Sequence, residues 1–303
     1  MTESIFDSKS EQKVYTRLKT YWSRHVDVFP QVPVRSVTGY DRLKNIDESE
    51  KVKDYLLKTS FDFVICELNN GIPILVIEFD GLAKGFSIDG KYILLKEQIS
   101  QDIHRKLKME AKLRVCQKIS VPMIVVSYPE CDLLKESEDQ ITILDAIIGD
   151  SLEKRVRRDN HEKYIEKLST SWVFGGETAA EITEMEIYLE VEGHNPVKQK
   201  IREITSKFPF WHEQVLLPKI IDNVVEGEFH LKGGIHYESN NSRSQKIIST
   251  KISMRTVGVN SSDSIWLFNT IGEYCLCRKT EKILGFDSEK WRLAIQNTEM
   301  TLD

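Results

Sequence analysis

Long apolar runs are missing from this 303-residue chain. The most continuous one, Ile72-Pro73-Ile74-Leu75-Val76-Ile77, is far shorter than the roughly 20 residues a membrane-spanning helix needs, so no span is expected. Met1-Thr2-Glu3-Ser4-Ile5-Phe6-Asp7 has neither the basic start nor the apolar stretch of a secretory signal, and a cytoplasmic protein is the default expectation. Cysteine is scarce and odd in number: Cys66, Cys116, Cys131, Cys275 and Cys277 fit neither a disulfide framework nor a four-ligand zinc site. Cys275 and Cys277 would share a face if they lay on a strand, where two small apolar core residues are the plainer reading than a metal or redox pair. Net positive charge is also absent. A formal charge of −5 excludes gripping nucleic acid through overall charge and leaves only a local basic groove. No glycine-rich phosphate loop, G-x-S-x-G elbow or H-E-x-x-H pair occurs, which removes the commonest nucleotide, serine-hydrolase and zinc-protease templates.

The length gives a prior for two domains, and no tract is repetitive or compositionally skewed. The first half reads as mixed α/β. Ser8-Lys9-Ser10-Glu11 opens a helical pattern in Val14, Leu18 and Tyr21 or Trp22, and Val26 to Val34 is extended, interrupted by Pro30 and Pro33. A polar stretch holds a short helix around Glu48 to Leu57.

The most informative stretch is Phe61-Asp62-Phe63-Val64-Ile65-Cys66-Glu67-Leu68, followed by Asn69-Asn70-Gly71 and Ile72 to Phe79. Two apolar runs around Asn-Asn-Gly predict a β-hairpin. With all three residues in the loop, and Gly71 in the left-handed position, Leu68 pairs with Ile72 and Asp62 falls opposite Glu78. Opposed residues share a face, and Asp80, two beyond Glu78, joins them. A two-residue Asn70-Gly71 loop would put Asp62 on the other face, so the inference depends on the turn.

A long helix then runs to about Lys118, with Ile103, Leu107, Ala111, Val115 and Ile119 as a core-facing stripe and Lys108 and Lys112 on its edge. Val121 to Val126 reads as a buried strand reached by a right-handed crossover. The order is helix, strand, hairpin, helix, strand. Residues 1–150 form this α/β domain, 151–176 a basic helical linker containing Lys154-Arg155-Val156-Arg157-Arg158, and 177–303 a strand-rich α+β domain. In the last, Met185 to Glu192 alternates apolar and acidic, predicting a half-buried strand whose glutamates discourage edge pairing. Ile248 to Thr256, Ile265 to Phe268 and Tyr274 to Arg278 are expected as further strands, with a helix at Ser288 to Gln296; Trp211, His212, Tyr237 and Arg243 could meet unpaired bases, although core packing explains them better.

Three carboxylates on one surface cannot all stay ionised unless a cation neutralises them. Bound Mg²⁺ is the simplest remedy, taking carboxylates, a backbone carbonyl and water. Such an ion would orient a water on phosphorus while a lysine assists. Lysine and arginine crowd Arg105-Lys106-Leu107-Lys108 through Lys118, where a phosphate backbone could be held; Arg105, Lys108 and Lys84 are the candidate nucleic-acid contacts.

Asp62, followed across the hairpin by Ile77-Glu78-Phe79-Asp80-Gly81, resembles the restriction-endonuclease-like PD-(D/E)XK nuclease superfamily, in its bacterial branch with an I-E-x-D-G motif similar to very-short-patch repair endonucleases. Ser10-Glu11-Gln12-Lys13 is similar to that branch's first helix, and Lys112, eight residues before Ser120-Val121-Pro122, matches its helix lysine. The resemblance covers about residues 5 to 130. It implies an αβββαβ core with a mixed sheet and a Mg²⁺ (or Mn²⁺)-dependent phosphodiesterase acting on DNA, in defence or repair. Asp62, Glu78 and the Phe79 carbonyl would be metal ligands, Asp80 and Glu11 outer or second-metal groups, and Lys112 the charge stabiliser. The chain departs from the pattern in having Phe61 where proline is usual, Asp80 at the usual lysine position, and Leu82-Ala83-Lys84 where a histidine would follow Gly81. Glu11 also stands three residues after Ser8, so a capping box is equally open.

A DNA endonuclease, with the second domain setting substrate or a homodimeric state, is thus the first expectation. A nuclease-fold nucleic-acid-binding protein without turnover is the rival; a different hydrolase would need a deep small-molecule pocket.

Overall fold

A computed structural model describes residues 6, 8–80, 83–86, 90–94, 100–126, 143–206, 213–215, 219–221, 224–231, 235–239, 242–246, 249–255 and 261–284. Gly81, Cys131, Trp211, His212 and the helix expected at 288–296 lie outside them, as do the side chains of Lys84, Tyr237 and Arg243. The chain divides into two units, Met1–Glu138 with Arg255–Ser264, and Asp139–Met254 with Ile265–Asp303.

The first unit is mixed α/β. Helix α1 (Lys9–Trp22) starts at Ser8, whose hydroxyl accepts from the Glu11 amide, and buries Val14, Leu18 and Trp22 at intervals of four. Strand β1 (Val26–Pro33) leads through three short helices, α2 (Val34–Thr38), α3 (Tyr40–Lys44) and α4 (Glu50–Lys58), to the hairpin β2 (Ser60–Glu67) and β3 (Pro73–Phe79). Two short strands, β4 (Ala83–Phe86) and β5 (Tyr92–Leu94), pair with each other. Helix α5 (Ser100–Lys118) and strand β6 (Met123–Val126) follow. Among the described residues the main sheet has four strands in the order β1-β2-β3-β6, antiparallel except for the parallel β3/β6 pair. Its central strands are buried on both faces, which is why Phe63 to Cys66 and Ile74 to Ile77 read as nearly unbroken apolar runs.

The hairpin differs from expectation in a way that cancels. The Glu67 amide donates to the Ile72 carbonyl at 2.9 Å, so the loop holds four residues rather than three. Asn69 and Gly71 both take positive φ, 68° and 69°, and the Asn70 side chain accepts from the Ile72 amide. The extra loop residue is taken up by a bulge: Ile65 pairs with Leu75 but Cys66 with Pro73, leaving Ile74 over. Pro73 has no amide hydrogen for the ladder, and the irregularity sits beside it. Beyond the bulge the register is the expected one, with Phe63 opposite Ile77 and Asp62 one step further, opposite Glu78.

The stripe expected along α5 is corrected in its first half. Ala111 and Val115 are buried, but Ile103 and Leu107 are 62% and 48% exposed. The inward face runs instead through Arg105, Met109, Lys112 and Cys116, so two cations alternate with apolar groups along it.

The second unit holds α6 (Ile143–Asp159), α7 (His161–Glu192), α8 (Pro196–Thr205), strands β7 (Glu213–Val215), β8 (Lys219–Ile221), β9 (Val224–Leu231), β10 (Ile235–Ser239), β11 (Ser242–Lys246) and all but the last residue of β12 (Ser249–Arg255), and α9 (Ser261–Leu284) from Ile265 onward. The strands β7 to β12 all fall between residues 213 and 255, β12 where a strand was expected, with α8 before them and α9 after. Met185 to Glu192 is helical, burying Ile187 and Val191 and exposing Met185 and Leu189, so alternation in sequence hid an i, i+4 stripe. Residues 265–268 and 274–278 belong to α9, where Cys275 and Cys277, two apart on a helix, do not face each other. α7 breaks at Gly176 (φ 70°) into two arms joined by Lys163–Glu190, Lys167–Glu186 and Ser171–Thr183 contacts. Residues 151–176 therefore lie in α6 and the first arm of α7.

Candidate functional site

Two strand residues and two helix residues define the site. Glu78 and Asp80 are two apart at the end of β3, so their side chains leave the same face. Arg105 and Lys112 are seven apart on α5, two turns along one side. The structure matches them pairwise. The Lys112 ammonium donates to both oxygens of Glu78, at 2.8 Å each, and to the Ser60 carbonyl at 2.7 Å. The Arg105 guanidinium donates to Asp80 at 2.7 Å, and the Tyr92 hydroxyl donates to the other Asp80 oxygen. Glu78 and Asp80 are each 1% exposed and Lys112 4%.

Asp62 comes from the neighbouring strand. One of its oxygens accepts the Phe79 amide at 2.7 Å, fixing the carboxylate between Glu78 and Asp80 in sequence and across the ladder from Glu78. With all three carboxyls ionised, three negative charges would face two cations. Burial drives Glu78 up to about 8, the Lys112 charge pulls it back and the Asp62 charge adds to the rise. For Lys112 burial alone would lower the pKa, but Glu78, Tyr55 and Asp62 outweigh it and hold the value above the ordinary one. An ammonium centred on both Glu78 oxygens is an ion-pair geometry, so Lys112 stays protonated here. Burial, followed by the Asp80 contact, raises the Tyr92 phenol, keeping it a donor.

Glu11 lies beside the N-cap of α1. The Ser8 hydroxyl accepts the Glu11 amide at 3.1 Å and contacts the Glu11 carboxylate at 3.3 Å, while Gln31 donates to the other carboxylate oxygen at 3.3 Å. The β1/β2 pairs Pro30–Phe63 and Val32–Phe61 bracket Gln31 against Asp62. Glu11 thus borders the site through Gln31, which has φ 51°.

The expected nucleic-acid contacts fare differently. Arg105 is committed to Asp80 rather than standing clear for a phosphate, although 40% of its side chain is exposed. Lys108 is exposed, its ammonium 4.9 Å over the Tyr55 ring. Lys84 lies on β4. Tyr92, Gln31 and the Ser60 carbonyl were not anticipated from sequence. Each reaches the site through a turn or crossover, and no local pattern marks them.

Residues 3–144 match the family described as "Protein of unknown function (DUF2726)". That stretch contains every residue of the site, from Glu11 to Lys112. No curated protein and no solved structure matches the chain.

Among the described residues no group of three or more His, Cys, Asp or Glu side chains is placed to hold a metal ion. The Asp80 oxygens accept from Arg105 and Tyr92. Magnesium needs only one or two protein carboxylates with water completing its shell, and Asp62 and Glu78 are hard oxygen donors of that kind. The donor chemistry therefore fits a divalent ion on this pair, with Lys112 giving up at least one Glu78 oxygen.

Proposed function

We propose that Asp62, Glu78 and Lys112 form the active site of a Mg²⁺- or Mn²⁺-dependent phosphodiesterase that cuts DNA. One observation carries the reading: the antiparallel register of β2 and β3, paired as far as Phe63–Ile77, continues to Asp62 and Glu78, and Lys112, just over three turns into the next long helix, reaches Glu78. With the short helices α2 to α4 and the β4/β5 pair set aside, the first unit runs helix, strand, hairpin, helix, strand, and its mixed four-stranded sheet is compatible with the nuclease core that the I-E-x-D-G resemblance implies.

Asp62, Glu78 and the Phe79 carbonyl would hold the ion, which supplies an activated water and neutralises charge growing on the phosphate oxygens. Lys112, kept protonated by its acidic neighbours, is suited to stabilise that charge and unsuited to accept a proton. Asp80 and Tyr92 orient Arg105, whose partly exposed guanidinium can meet a phosphate at the rim. Glu11 and Gln31 fix the β1 side.

A second reading, a DNA-binding protein of the same fold without turnover, is favoured by the engagement of both Glu78 oxygens with Lys112. The two separate in one assay. Plasmid and linear DNA incubated with the protein and Mg²⁺ or Mn²⁺ should be nicked, and nicking should vanish in Asp62→Ala and Glu78→Ala. Undiminished cutting by both variants excludes this site. Gel retardation without cutting supports the second reading.

A further inference from the structure

The second unit contains a cavity of about 350 Å³ between the end of α7, α8 and α9, large enough for a small organic molecule. Its charges are unevenly used. The Lys198 ammonium is paired with Glu153 at 3.0 Å and Glu192 at 3.3 Å, and Arg202 with Glu192, so both cations of the lining are already matched. Helix α9 contributes two acceptors one turn apart, Asn269 and Glu273. The Asn269 side-chain oxygen is buried and has no hydrogen-bond partner among the described residues, a condition proteins rarely leave uncorrected. The Glu273 carboxyl is raised by burial first and then by the charge of Glu192, with the Lys198 charge pulling it partly back. Trp266, 43% exposed, stands one turn before them on the same helix.

We infer that this cavity binds a small organic cation carrying N–H donors, a protonated amine or guanidinium, through Glu273, the Asn269 oxygen and the Trp266 ring. Positive charge relieves the crowding of Glu273 and Glu192, an N–H satisfies Asn269, and an indole face favours a cation. Lys198 already lies 4.5 Å over that ring, so the aromatic wall is suited to ammonium groups. An anion would meet two carboxylates and find both lining cations neutralised. An apolar ligand would leave Asn269 unpaired. A bare metal ion lacks a sufficient ligand group among the described residues.

The inference concerns the second unit and stands apart from the phosphodiesterase reading. Titration calorimetry on the full chain in low salt, with agmatine and spermidine as probes and AMP as the anionic control, tests it. Saturable binding of at least one amine is expected, weakened about tenfold or more by Glu273→Gln and unchanged by Glu78→Ala. Asn269→Asp, which keeps the shape and adds a charge, should tighten binding. Thermal unfolding confirms that each variant is folded. The inference is overturned by no saturation up to about 10 mM amine, by equal affinity in folded Glu273→Gln, by weaker binding in Asn269→Asp, or by AMP binding more tightly than either amine.

Discussion

The Lys112 ammonium lies 2.8 Å from each oxygen of Glu78 with both side chains almost wholly buried. Removing one member leaves the other charge without a counter-ion, which costs far more than the pair itself contributes. Lys112→Met should lose about 3 kcal/mol in urea unfolding at neutral pH, and the double variant Lys112→Met/Glu78→Leu should recover much of it. The loss should also grow with pH. Glu78 has a folded-state pKa raised above its unfolded value, so its contribution is fully present below the unfolded value and is lost as pH rises towards about 8. Without Lys112 the rise is larger, so the deficit at pH 8 should exceed that at pH 5. A pH-independent deficit would show that Glu78 is not the charge left stranded.

Asp80 sits between one buried donor, Tyr92, and one partly exposed donor, Arg105. Water can replace the guanidinium more readily than the phenol. Tyr92→Phe should therefore lower stability by about 1–3 kcal/mol and Arg105→Ala by less, read as shifts of the thermal midpoint. The reverse order would mean that the Arg105 bond, not the phenol, holds Asp80.

Gly149 and Gly71 separate two reasons for lacking a side chain. A Cβ on Gly149 would stand 2.2 Å from the Asn195 side-chain oxygen, which caps α8 by accepting the Val197 amide at 3.0 Å. Asn195 also donates to Glu153 at 2.7 Å. Gly149→Ala should cost about 2–3 kcal/mol by displacing this cap. Gly71 has open space around it but φ 69°, so Gly71→Ala should cost about 1 kcal/mol through backbone strain alone. Chemical denaturation of both variants checks the difference.

Burial lifts the Cys66 thiol to about 11, with Asp27 and Glu67 adding to it, and lifts Cys116 further. Both should stay protonated and resist iodoacetamide at pH 8 in the folded protein, reacting only in denaturant, as peptide mass spectrometry would show. The folded-state values lie above the unfolded one, so this contribution to stability is present below about 8.5 and is lost as pH climbs towards 11. Rapid labelling of Cys66 at pH 8 without unfolding would contradict its burial.

Local patterns revealed much of the first unit. The Ser8 cap, the stripe of α1, the hairpin and the buried parallel strand all arise from interactions within a few residues or between chain neighbours, and such interactions leave a readable period. The Asp62–Glu78 opposition was legible for a less direct reason: a longer turn and a bulge each shift the ladder by one residue, and the shifts cancel. The second unit was read poorly because Met185 to Val191 satisfies two periods at once. Its burial at every fourth residue is decided by packing between the arms of α7, where Tyr164, Ile187 and Val191 cluster.

The sequence by itself determined which residues could carry charge at the site and, through the turn between β2 and β3, pointed to Asp62 and Glu78 sharing a surface. Only the tertiary structure decided what each carboxylate meets. Whether Lys112 is a solvated lysine or the partner of Glu78, and whether Arg105 faces a ligand or Asp80, depends on how α5 is rotated against the sheet. That rotation is set by the summed packing of side chains distant in sequence, and no local pattern records it.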